Sequence, residues 1–160
     1  MKRIFAIFFL FSIMVFMSFA CSRQKEISGI EVSELLLVVL EEQNIDYCEL
    51  LSEAIKGNES SIREISLLKI NDGAAYDHGA VLVDLIELIG EDKFVQSIKS
   101  TSDIEKKWIK GYIEAGIEYG NNPNINGKTL KEVFPKIYEE LCDKRENLPV
   151  VSDFQSDTKK

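Results

Sequence analysis

Few side chains in this chain can do acid–base, nucleophilic or metal chemistry: one histidine, three cysteines and a set of acidic residues. His78 stands in the run "YDHGA", directly after Asp77 and close to Asp72. A histidine partnered by a carboxylate is the ordinary form of a general base or a metal ligand. On a helix, however, neighbours in sequence point about 100° apart and do not face each other. Asp77 therefore cannot orient the His78 ring, which falls with Leu82, Leu85 and Ile89 on an apolar side. The expected state is a neutral core or edge histidine, hydrogen-bonded to a backbone group or a tyrosine. The alternative is a small-ligand or enzyme pocket around His78, Tyr76 and Trp108.

Other chemistry finds less support. There is no histidine pair at helical spacing and no close cysteine pair, and "NDGAAYD" lacks the order of acids that a calcium loop needs. Nucleophile elbows, S-x-x-K motifs, phosphate loops and nucleotide fingerprints are all missing. Cys48 and Cys142 have no second histidine to activate them. The expectation is therefore no enzyme, with no catalytic, cofactor or metal site. Trp108, Tyr112 and Tyr119 share a side with Ile104 and Ala115 at helical spacing. They read as core more readily than as a ligand wall.

The elements that carry these residues read as helices, and the fold class as all-α: a compact bundle of six to seven short helices. Ser28-Gly29-Ile30-Glu31 matches a capping box before "IEVSELLLVVLEEQ", and Asp46 and Asn58 open the next two helices, the third running to about Ile70. Around "AAYDHGAVLVDLIELIG" apolar residues cover nearly the whole wheel, leaving one stripe of Asp77, Ala80, Asp84, Glu87 and Glu91. Such a helix is buried at the centre, and the stripe is expected to be its solvated face. Gly90 caps it; Ser102–Glu105 and Thr129–Glu132 form two further capping boxes. Gly111 and Gly116 weaken the helix after Ser102 by about 1 kcal/mol each against Ala, unless a neighbour packs closely on them. Pro135 divides the last helical stretch. Gly57 and Gly90 lie at a solenoid-like spacing, with apolar residues matching at the same offset (Leu50 with Val83, Ile62 with Val95), so a solenoid-like stack is the competing arrangement. No run alternates clearly enough to be a strand.

The amino terminus carries a different message. Lys2 and Arg3 precede an apolar run from Ile4 to Ala20, broken only by Ser12 and Ser18, and Cys21 follows. A charged start, an apolar middle and a small-residue end make a secretory signal. "SFAC", residues 18–21, resembles the lipobox of bacterial lipoproteins. That resemblance covers residues 1–21 alone. It implies cleavage between Ala20 and Cys21, acylation of the Cys21 thiol and amine, and attachment to the cell envelope, with Ser22 leaning towards the outer membrane. Ser18 stands where a leucine is usual, and Phe19 where a small residue is usual. Two or three acyl chains anchor stably, whereas one binds only marginally. Lipidation also leaves Cys48 and Cys142 as an even pair, a candidate disulfide.

These readings divide the chain into a signal peptide (1–20), a lipidated start and tether (21–29), a helical domain (30–145) and a polar tail (146–160). The chain carries −8, and Lys2 and Arg3 are the only charges before Cys21, so the remainder carries −10. That balance argues against nucleic acid and against anionic lipid surfaces. The membrane is then reached through the anchor, and the partner expected is another protein. The leading expectation is a non-catalytic envelope lipoprotein with an acidic protein-binding domain. A periplasmic immunity protein that neutralises a basic toxin is a specific alternative, since opposite charge speeds encounter.

Overall fold

A computed structural model describes residues 25–142 of the chain; the signal segment, Cys21 and the 146–160 tail lie outside the described residues. The described part is an all-α bundle with one small hairpin at its start. The hairpin pairs β1 (Lys25–Ile27) with β2 (Ile30–Val32), antiparallel. Eight helices follow: α1 (Glu34–Glu42), α2 (Tyr47–Ile55), α3 (Glu59–Ser66), α4 (Gly73–Ile89), α5 (Glu91–Ile98), α6 (Asp103–Tyr119), α7 (Leu130–Val133) and α8 (Pro135–Leu141).

The hairpin corrects the reading of its segment as a tether and a capping box. Ser28 and Gly29 both have positive φ, 53° and 90°, the turn that matches strand twist in a two-residue hairpin. Ile30 and Val32 point into the core while Glu31 is exposed, a period of two too short to stand out in the sequence. The cap of α1 is Ser33, whose hydroxyl accepts the Leu36 N–H at 3.1 Å. Elsewhere the caps fall where expected. Asp46 and Asn58 open α2 and α3, and both capping boxes close with reciprocal bonds. Pro135 separates α7 from α8 and sits in the first turn of the latter.

The core centres on α4, which packs against β2, α1, α2, α5 and above all α6. The contacts with β2 and α1, distant in sequence, make a bundle; a solenoid would touch only successive neighbours. At the α4–α6 crossing the backbones nearly touch. A Cβ added to Gly116 would overlap the Gly79 carbonyl oxygen, and one on Gly79 would overlap that of Tyr112. Gly116 thus has the close neighbour that its place in a helix requires, whereas nothing lies within 4 Å of a Cβ at Gly111.

α3 ends at Ser66, short of the expected Ile70. The Tyr112 hydroxyl takes over the backbone there: it accepts the Ile70 N–H at 3.1 Å and faces the carbonyls of Leu68 (3.1 Å) and Ile70 (3.0 Å). Among the described residues no helix is long and apolar enough to cross a membrane.

Candidate functional site

The histidine lies in the centre of the fold. His78 Nδ1 is 2.9 Å from the Tyr47 hydroxyl, and Nε2 has no hydrogen-bond partner among the described residues. The ring meets Tyr47 edge-on at 5.8 Å between centroids and Tyr112 at 5.0 Å, linking α2, α4 and α6. Burial pushes its pKa down to about 3, against a smaller upward pull from the Ile65 backbone. Burial likewise raises the Tyr47 pKa well above the usual tyrosine range. Of the expected settings, core or edge and backbone or tyrosine partner, the structure shows a core histidine on a tyrosine.

Asp77 turns away from His78 and accepts the Ser33 hydroxyl at 2.5 Å, tying the start of α1 to α4. The rest of the acidic stripe is not the plain solvated face expected of it. Glu87 accepts the Asn122 amide at 3.2 Å through each carboxylate oxygen. Glu91 Oε2 accepts the N–H groups of Lys136 (2.8 Å) and Ile137 (3.2 Å), serving α8 as a cap that its own Phe134 cannot supply. Lys136 Nζ in turn meets Asp92 at 2.7 Å. Burial, then Glu87 and Glu31, push Asp84 up. The hydrogen-bond partners Ser33, Asn122, Lys136 and Ile137 come from distant segments, which no wheel of one helix can display. Among the described residues no group of three or more His, Cys, Asp or Glu is placed to hold a metal.

Cys48 and Cys142 are both free, half-buried thiols, so the candidate disulfide is not formed in this structure. α2, which carries Cys48, packs mainly on α3, whereas α8, which ends before Cys142, packs on α5, α6 and α7.

The aromatic face of α6 departs furthest from expectation. Tyr112 is 7% exposed, but Trp108 is 48%, Tyr119 61% and Ile104 72% exposed. The buried side consists instead of Ile109, Tyr112, Ile113, Gly116 and Ile117. Tyr112 stands at the edge shared by the two stripes, so the sequence pattern admits both. Tyr119 meets Tyr76 of α4 edge-on at 5.1 Å.

Trp108 divides two adjoining hollows. The larger, about 440 Å³, is lined by Ala75, Tyr76, Lys107, Gly111 and Ala115. The smaller, about 200 Å³, lies over Leu67, Leu68, Lys69, Ile104 and Glu105. Tyr112 floors both, held by its hydroxyl on one side and meeting His78 edge-on behind. His78 lines neither of these two hollows. Gly111 and Ala115, one turn apart beside Trp108, are the sequence signal of a depression here.

The rim of this groove carries two lysines and one carboxylate, Glu105. Lys107 lines one hollow and Lys69 the other, and Arg63 and Lys69 both act on Glu105, lowering its pKa after the larger effect of its bonds to Ser102. No protein-family model, curated protein or solved structure matches this chain.

Proposed function

We propose that this chain is a non-catalytic lipoprotein of the bacterial cell envelope, anchored through Cys21, whose helical domain binds another protein through the Trp108 groove. The observation that carries the binding half is the exposed run of Ile104, Trp108, Tyr76 and Tyr119 around the two hollows. Exposed apolar surface gathered over a rigid floor is the usual mark of an interaction site, and tryptophan and tyrosine dominate binding energy at such sites. With Lys69 and Lys107 against the one acid Glu105 in its lining, the groove suits an apolar segment flanked by acids, although the chain as a whole is acidic. The anchor half is supported by the lipobox-like residues 18–21 and by the short stretch between Cys21 and β1, which holds the domain close to its membrane.

Two measurements test it in cells. Labelled palmitate should enter the protein and be lost with Cys21→Ser; an unlabelled parent overturns the anchor. A photo-crosslinking residue at Lys107 should yield a discrete adduct that Trp108→Ala weakens, while one at exposed Lys56 should not. Equal adducts at both positions, or none at Lys107, overturn the groove.

A further inference from the structure

Resting on the reading of the groove as a protein-binding site, we infer that its partner is a second copy of this chain, seated with its own α6 antiparallel to this one. The groove side of α6 follows steps of four, three and four residues: Ile104, Trp108, Gly111 and Ala115. That is the spacing of a coiled-coil seam, and on a wheel it fills an arc of only about 60°. All four residues are exposed or half-buried, so the described fold leaves the seam unpartnered.

The seam complements itself, because its first half is large and its second half small. With Trp108 opposite Gly111 of the second copy, Ile104 meets that copy's Ala115, and the two-fold repeats both matches. Nothing lies within 4 Å of a Cβ at Gly111, and the hollow of about 440 Å³ beside Gly111 and Ala115 receives the incoming indole. Tyr76, paired edge-on with Tyr119, walls its α4 side.

Charge follows the same register. Lys107, Glu114 and Glu118 share one flank of the seam, all exposed. Antiparallel pairing sets Lys107 beside Glu114 of the second copy, twice over, with Glu118 of that copy one turn further along. Lys110 meets Glu114 of its own helix at 4.0 Å and, like Asp103, points about 110–130° from the seam. Glu105 lies on the other flank, where Arg63 and Lys69 act on it. General repulsion between two acidic chains is screened beyond about 8 Å at physiological salt, whereas the Lys107–Glu114 pairs are contacts.

The full chain is sedimented in mild detergent over a range of concentrations. The parent is expected to be a dimer that dissociates on dilution. Lys107→Glu and Glu114→Lys each turn both pairs repulsive and should weaken it about tenfold, and the double variant K107E/E114K should restore it. Gly111→Leu should abolish the dimer by filling the hollow. Measured where the parent too is monomeric, its thermal midpoint should hold or rise, because leucine favours the helix. A parent that stays monomeric at all concentrations, a double variant no tighter than the single ones, or a Gly111→Leu chain that still pairs overturns the proposal. The Lys107 adduct in cells separates it from the reading beneath it. An adduct with the mass of two chains supports the second copy. An adduct with a different protein overturns it and keeps the groove as a binding site.

Discussion

Gly79 and Gly116 bring the backbones of α4 and α6 together, each lying where a side chain on the other would collide with a carbonyl or amide group. This crossing is the most extensive helix contact in the fold. The obstacles on both sides are backbone, which cannot swing aside as the end of a side chain can. Gly116→Ala must therefore push the helices apart, and overpacking of this kind costs about 1–3 kcal/mol or more. Gly111→Ala, five residues earlier on the same helix, meets open space and should stabilise by up to about 1 kcal/mol through helix propensity. Denaturant melts of the two variants should move in opposite directions. A shared direction would mean that the crossing is not close-packed.

His78 makes stability depend on pH. Burial takes its pKa from 6.5 to about 3 in the fold, so the unfolded chain binds a proton that the folded one does not between those values. Its contribution is complete above about 6.5 and is lost as pH falls, at up to about 1.4 kcal/mol per unit. No other histidine is present to share this window. The parent should lose stability between pH 7 and 5, and His78→Phe should be flatter over the same range, although less stable at pH 7 for want of the Tyr47 bond. Equal slopes for the two proteins would refute the buried, neutral state.

Local signals were legible in the sequence wherever a short segment determines its own conformation. The capping boxes at Ser102 and Thr129, the stop at Gly90 and the break at Pro135 need only a few neighbouring residues. The enclosed α4 was legible because it is apolar nearly all round. What the pattern could not display depends on distant partners. Ser28-Gly29 fits a helix start as well as a hairpin turn, and burial of Ile30 and Val32 decides between them. Trp108 and Tyr112 lie on neighbouring parts of one helix, and only the position of α4 determines which becomes core.

Tyr112 joins α6 to the Leu68–Ile70 segment through its hydroxyl. Tyr112→Phe keeps the ring against His78 but strands the buried Ile70 N–H. An unsatisfied buried donor costs about 1–3 kcal/mol. The melt should fall by that amount, and amide exchange at Ile70 should accelerate more than exchange within α2. The floor of the groove would loosen with it, so groove contacts should weaken although the variant removes no exposed atom. Unchanged exchange at Ile70 would count against the hydroxyl as its anchor.

Glu91 carries the last test, because it serves a helix other than its own. Its carboxylate accepts two of the free N–H groups at the start of α8, where Pro135 supplies none and Phe134 offers no side-chain acceptor. Removing a cap costs about 0.5–2 kcal/mol. Glu91→Ala should lose about that much, and Asp92→Ala much less, since its pair with Lys136 is exposed. The loss should be local as well as global: α8 should fray from its first turn, and exchange at Ile137 should rise before exchange in α4. Because α8 also holds Lys106 through Glu140, fraying should loosen the end of the chain beside α6. Equal losses from the two variants would show that Glu91 acts only as surface charge.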